Sequence, residues 1–388
     1  MVQVIKTQSK ENNKVQVIDI SSSDIIHSIL DSHLFVPDLQ IRPIIIEKLV
    51  EYLEQKISDP NFRIKFFIAK KNEKTTGFVV CQIDPEYKSY SRKCATFGWI
   101  CFDDPESCAA IMNACERFVK EYRVRKLRGP VNFPTYIGGI GWQIYGFHNP
   151  IMAGVAFSDP QSKALEYLQQ IGYKIESNYT CVYVTESAWK KGNKLDPSIK
   201  LGFRTVEEIK KLKPRIMEIA QNSFHSVLAD APGGETKFDI MMKNYESVPE
   251  DYYQLPPDVD LQTYFRIPEF IEAVKDGDFE QAVHSAPMAF DRETGELVGI
   301  ILALPDIFQI WLGEYPTHLN VDTAMIDKNY AGRGIFSSLN NIGQLACNLD
   351  GMHYYEGTTI WSNNDRAIKT IFPHSIPIRK HVVLQKRV

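Results

Sequence analysis

Val321-Asp322-Thr323-Ala324-Met325-Ile326 runs into Asp327-Lys328-Asn329-Tyr330, then Ala331-Gly332-Arg333-Gly334-Ile335-Phe336, then residues 337–348. An apolar-rich strand is predicted to enter a loop with two glycines, and the loop opens a helix. Glycine lets the backbone approach a ligand closely, and the first N–H groups of a helix have no partner inside it. Those donors and the positive end of the helix dipole suit a pyrophosphate. The glycine pair taken alone also fits an ordinary strand–turn–helix, so the rest of the chain has to supply context.

At 388 residues the chain is long for one core, and two domains are expected. Hydrophobic content of 44% and charged content of 24% are ordinary for a globular protein. A net charge of −4 gives no support for a nucleic-acid partner. Residues 1–14 are polar and lack the apolar core of a signal peptide, and no run reaches the roughly 20 apolar residues of a membrane span. A cytoplasmic protein without membrane attachment is expected. Of the seven cysteines, only Cys347 lies in the second half. There is no C-x-x-C pair and no cluster with zinc spacing, so no metal is expected. Cys108 and Cys115 stand two turns apart on one helical face, as small buried reduced thiols would.

In chain order, residues 15–18 predict a strand, and Ser21 to Asp24 a capped helix start ahead of Ile25, Ile26 and Ile29. Ile45, Leu49, Leu53 and Ile57 predict a helix over 41–57. Strands follow over 64–69, 76–83 and 95–102, the first two joined by a turn at Asn72-Glu73-Lys74. A helix over 105–122 begins behind Asp103 and Asp104. A strand then ends in the Gly-, Tyr- and Trp-rich loop after Asn132, followed by a helix over 162–171 and a strand over 179–185. Residues 187–200, with Pro197, read as a linker. The second half gives a strand over 201–206, a helix over 207–223 open to interruption at Pro214, and a hairpin of 284–290 with 296–303. The opening stretch, a strand over 352–361, a short helix over 364–371 and a closing strand over 382–385 complete it. The second half thus repeats the order of the first.

The opening stretch resembles motif A of the GNAT superfamily of acyl-CoA-dependent N-acyltransferases, "V-x-P-x-x-R-G-x-G-x-G, then helix". Gly332, Arg333, Gly334 and Ile335 fit it; Ala331 stands for the usual Arg or Gln and Phe336 for a small residue. Arg128-Gly129-Pro130-Val131-Asn132-Phe133, then Gly146-Phe147 and Gly172-Tyr173, resembles "GPxNFS…GF…P…GF" in double-domain members. The resemblance implies an α/β (α+β) fold of two tandem GNAT-like domains, each a mixed, mostly antiparallel twisted sheet flanked by helices. After a tail (1–14), the first domain would cover 15–186 and the second 201–388, with the linker between. In the first, Phe102-Asp103-Asp104-Pro105-Glu106 stands where the phosphate loop belongs. Carboxylates and a proline there repel a pyrophosphate, so that domain is expected not to bind coenzyme A. Residues 222–281, carrying Pro232-Gly233-Gly234, Tyr252-Tyr253 and Pro256-Pro257, are an insert. They are expected to be a partly helical lobe over the acceptor, or a surface packing on the first domain or a second subunit.

The resemblance also implies roles. The strand edge at Met325 and Ile326 would hydrogen-bond a pantetheine, and the N–H groups from Arg333 to Ser337 would hold the pyrophosphate, with Arg333 adding charge. Ala331 and Phe336 belong to the same loop. Asn364 starts an "N-x-x-A" element and would contact the coenzyme or cap its helix. Asp322, on the strand with Asn320, and Glu356, on the neighbouring strand, are the candidate general bases, or hydrogen-bonded structural carboxylates. The family's acidic tyrosine is replaced by Ile371, leaving Tyr330, Tyr354 and Tyr355 as substitutes. No G-x-S-x-G elbow and no P-loop lysine after Gly138-Gly139-Ile140-Gly141 is present. The expected activity is transfer of an acetyl or other acyl group from acetyl-CoA or another acyl-CoA, as co-substrate, to a primary amine of a small molecule or peptide. Alternatives are a non-catalytic binding or assembly protein and a tRNA-dependent aminoacyl transferase. A homodimer is possible on this reading.

Overall fold

The computed structural model describes residues 3–5, 14–85, 87–89, 92–185, 194–223, 235–249, 266–363, 368, 369, 372 and 375–388. They fall into two compact units. The division lies between Tyr179 and Thr180, and the terminal Arg379–Val388 belong to the first unit.

The first unit contains β1 (Gln3–Ile5), β2 (Gln16–Ile20), α1 (Ser23–His33), α2 (Arg42–Ser58), β3 (Arg63–Lys71), β4 (Lys74–Ile83), the short pair β5 (Lys88–Ser89) and β6 (Arg92–Lys93), β7 (Ala95–Phe102) and α3 (Pro105–Glu121). Next come β8 (Lys126–Gly129), the single turn α4 (Thr135–Gly138), β9 (Trp142–Tyr145), α5 (Ala164–Gln170) and the start of β10 (Lys174–Val184). β2, β3, β4 and β7 pair antiparallel in sequence order. The β3–β4 turn places Asn72 and Glu73 at φ of 46° and 65°, the left-handed pair a two-residue hairpin demands. Cys108, Ile111, Met112, Cys115, Phe118 and Val119 of α3 recur at helical spacing and seal the core over Phe67, Val79 and Phe97. All seven cysteines are unbridged. Burial pushes the Cys101 and Cys108 thiols up to about 12, which makes them inert.

Where β7 parts from β8, the first unit fills the gap with its own chain. Their parallel pairing covers only Ala95↔Leu127 and Thr96↔Arg128. Beyond it, the Val131 N–H donates to the Phe97 carbonyl (2.8 Å) and the Trp99 N–H donates to Asn132 Oδ1 (2.8 Å). Asn132 Nδ2 donates to the Gly138 carbonyl (3.0 Å). A Cβ at Gly98 would meet the Val131 carbonyl oxygen at 2.2 Å, so only glycine admits this approach.

The second unit holds the end of β10, then β11 (Ile199–Gly202), α6 (Val206–Lys211), α7 (Lys213–Ser223), α8 (Glu235–Glu246), α9 (Pro268–Lys275), β12 (Met288–Asp291), β13 (Leu297–Pro305) and α10 (Ile307–Trp311). β14 (His318–Ile326), α11 (Ile335–Leu349), β15 (Tyr354–Trp361) and the start of β16 (Ser375–Arg387) complete the order. The helix expected over 207–223 is two helices with Pro214 in the first turn of the second, because proline lacks the N–H that continuation requires. β11 to β14 pair antiparallel in sequence order and β14 pairs parallel with β15. One sheet face carries Ile300, Leu302 and Met325 against Ile209, Ile216, Met241 and Tyr245 of α6–α8. The other carries Ile301, Ala303, Leu319 and Tyr355 against Phe270 of α9 and Leu339, Ile342 and Leu345 of α11.

Two domain expectations change. The described helices of the 222–281 insert, α8 and α9, build the second unit's own two core faces; residues 224–234 and 250–265 lie outside the described residues. The boundaries expected at 15–186 and 201–388 also differ from the observed division. Val182 and Val184 are in the second core, and Val382 and Leu384 are in the first. β16 closes the first sheet by pairing with β8 from Leu384↔Gly129 to Arg387↔Lys126. Each core therefore takes a strand from the other half of the sequence. No helix among the described residues is long and apolar enough to cross a membrane.

Candidate functional site

In the second unit the parallel pairing of β14 with β15 runs from His318↔Tyr354 to Val321↔Gly357 and stops there. β13 stays paired with β14 as far as Gly299↔Ile326. From residue 322 onward β14 has, among the described residues, a strand neighbour on one side only, and its edge makes a crotch with β15. Such an edge can hydrogen-bond an extended amide-bearing chain. A bulge marks the divergence: Leu302 faces Thr323 and Ala303 faces Val321, leaving Asp322 as the additional residue. Bulges twist a strand and re-aim its side chains. Met325 and Ile326 lie on this edge segment, with Met325 buried in the α6–α8 core, so the edge can offer a ligand only backbone there.

The loop after β14 is braced from several sides. Asp327 accepts from the Asn329 N–H (2.9 Å) and pairs with Arg215 (2.6 Å). The Tyr330 hydroxyl donates to Asp291 (3.0 Å). Burial, and then that carboxylate, raise the Tyr330 phenol, and the hydrogen bond ties the loop to the end of β12. The Arg333 guanidinium lies 4.6 Å from the centre of the Tyr330 ring and donates to Ser198 Oγ (3.3 Å). Ala331 and Gly332 are exposed and Phe336 is half-buried. Gly332 and Gly334 are left-handed, at φ of 83° and 76°. Gly334 caps α11 without a side chain, and the N–H groups of Ile335, Phe336 and Ser337 have no acceptor among the described residues. These donors at a helix N-terminus form an anion cradle.

The acids sit at the crotch. Asn320 and Glu356 are register partners. Asn320 lies opposite Leu304, which packs on the α6–α8 cluster, so this pair belongs to that face. Glu356 is fully buried and accepts from the Tyr354 hydroxyl (2.9 Å). Asn320 accepts from Thr358 Oγ1 (2.6 Å). Asp322 is half-buried and accepts from Thr323 Oγ1 (2.6 Å). Tyr355 is on the opposite face, donating to Asn348 and to the Met352 carbonyl. Of the three substitute tyrosines, Tyr354 alone donates to a candidate base. Thr358 and Tyr354 were within reach of the sequence, two residues either side of Glu356 on a strand. Asn364 and Ile371 lie outside the described residues.

No family model matches the chain and no curated protein matches it. Solved structures do. A GCN5-related glucosamine N-acetyltransferase region of a fungal multi-domain GH3 β-N-acetylglucosaminidase superposes with a TM-score of 0.55 at 12% identity, over 98% of this chain and 39% of that one. This chain thus spans about two-fifths of that protein's length. A GCN5-related N-acetyltransferase from Anabaena variabilis gives 0.52 at 9% identity, over 96% and 73%. The fold is that of the GNAT acetyltransferases. More narrowly it is the tandem form: a tandem GNAT protein from the clavulanic acid biosynthesis pathway matches with a TM-score of 0.51 at 8% identity, over 96% of this chain and 98% of that one.

Proposed function

We propose that the second unit transfers an acyl group from an acyl-CoA to a primary amine of a small molecule or peptide. One observation carries this reading. Pairing of β14 and β15 stops at Val321↔Gly357, while α11 opens at left-handed Gly334 with its first N–H groups unclaimed. The open edge and the anion cradle are what a pantetheine pyrophosphate requires. In the proposed step the amine nitrogen attacks the thioester carbon, a C–N bond forms, the C–S bond breaks and coenzyme A leaves as its thiol. The amine gives its proton to Glu356, with Tyr354 as hydrogen-bond partner, or to Asp322, and the protonated carboxyl passes it on to the departing sulfur, which restores the base. Bringing the reactants together at the crotch supplies the orientation such a step needs.

Calorimetric titration of the full chain with acetyl-CoA, beside Gly334→Asp, tests the donor. Saturable binding that is lost in the variant supports the cradle. No binding at millimolar ligand sinks it. A second reading, binding without turnover, draws on uncharged Ala331 and on an Arg333 already engaged by Tyr330 and Ser198. It predicts binding with no thiol release across a panel of amines.

A further inference from the structure

On the α11 side of the same strands lies a slot bounded by Leu319, Val321 and Tyr355 of the sheet and Leu339 and Gly343 of the helix. Leu319↔Tyr355 and Val321↔Gly357 are the last two parallel pairs before the crotch, so the slot begins where the open edge begins. A Cβ at Gly343 would stand 2.8 Å from Pro287; glycine there lets the helix sit close and keeps the slot narrow.

Besides the Tyr355 hydroxyl, three polar side chains line this mostly apolar space: the half-buried Asn340 and the buried Gln344 and Ser285. Gln344 is 5% exposed and Ser285 is 2% exposed. Neither amide atom of Gln344 nor the Ser285 hydroxyl oxygen has a hydrogen-bond partner among the described residues. Burying such groups unpaired is costly, and a helix face that needed only packing would carry leucine there. Among the described residues no charged side chain lines the slot, which disfavours an anionic or cationic guest. Its volume is about 30 Å³, room for about two water-sized groups.

We propose that the slot receives the acyl substituent of the donor, and that the group carried is a short neutral hydroxyacyl, two non-hydrogen atoms longer than acetyl. This rests on the acyl-CoA reading above. The acyl carbon sits at the crotch, its tail turns toward α11, and its hydroxyl exchanges hydrogen bonds with Gln344 and Ser285. The amine then approaches from the opposite face, where Asn320 and Glu356 stand.

The test is titration of the full chain with coenzyme A, acetyl-CoA, propionyl-CoA and 3-hydroxypropionyl-CoA, repeated with Gln344→Leu. The wild type should bind 3-hydroxypropionyl-CoA about tenfold more tightly than propionyl-CoA, the yield of one satisfied hydrogen bond. Gln344→Leu should erase that preference and leave free coenzyme A unchanged, which also reports that the variant is folded. Equal binding of all thioesters, or a preference that survives Gln344→Leu, overturns the inference and leaves the donor reading standing. Failure of coenzyme A itself to bind removes the donor reading and this inference with it.

Discussion

The two units answer the same structural question in opposite ways. In each, a strand enters a loop, the loop opens a helix, and a parallel neighbour peels away. In the first unit Asp104 caps α3, accepting from the Ser107 N–H (2.9 Å) and pairing with Lys71 (2.9 Å), and Pro105 removes another donor. Burial would raise the Asp104 carboxyl, but the Ser107 N–H and hydroxyl and the Lys71 ammonium outweigh it and hold the group below its ordinary value. The strand gap is filled by Val131 and Asn132. In the second unit Gly334 caps α11 with nothing and the crotch is open. The buried charge at the divergence differs too. Arg128, fully buried and paired with Glu176, belongs to the first unit's last parallel pair, whereas the second unit has Glu356 one pair before its last. A guanidinium cannot take a proton from an amine, and a carboxylate can. The two units share the scaffold and differ in the contents of the two gaps.

This contrast can be broken most sharply at Glu356. Glu356→Gln should lower the rate of thiol release by about 10²–10⁴-fold and leave coenzyme A binding unchanged. A full-rate variant would hand the role to Asp322, whose Asn replacement then becomes the decisive rate measurement. Installing the first unit's solution in the second comes next. Gly334→Asp should cost about 100-fold in coenzyme A affinity, the loss of one or two charge-assisted hydrogen bonds. The reverse change, Asp104→Gly in that background, should restore nothing, because Asn132 still fills the first gap. Asn132→Ala leaves the buried Trp99 N–H without its acceptor and should lower unfolding free energy by about 1–3 kcal/mol in denaturant titration. The smallest effect is expected in acid. His381 donates from Nε2 to the Ala156 carbonyl (2.9 Å). Burial, reinforced by Arg379 and opposed by that hydrogen bond, lowers its pKa to about 4. The unfolded chain takes up a proton near pH 6.5 and the folded chain does not. The contribution to stability is therefore complete above that pH and lost as pH falls through about 4. Unfolding midpoints should drop over that interval, and less so in His381→Gln.

Local grammar made much of this legible. The left-handed turns at Asn72-Glu73 and Gly332–Gly334, the break before Pro214 and the acidic cap at Asp104 depend on residues within a few positions of one another. The repeat itself could be read because each half spells the same order of periods. What stayed hidden is non-local. That Asp322 is a bulge depends on the register of β13 against β14. The fully buried state of Glu356, and Tyr354 as its partner, depend on where β15 leaves β14. Gln344 reads as an ordinary helical polar residue until α11 is seen to press it into the sheet. The direction of the Arg333 guanidinium, toward Tyr330 and Ser198, is likewise set by segments distant in sequence.

The exchange of closing strands bears on how the protein is made. The first core lacks Val382 and Leu384 until synthesis has passed residue 384, so it cannot be finished before the second unit's residues have been made. During translation residues 14–179 would expose the side of β8 that β16 later covers, an unpaired edge of the kind that invites association. A truncated copy ending near residue 378 should accumulate in aggregates even though it retains every residue of the proposed site, and supplying residues 375–388 as a separate peptide should return it to solution.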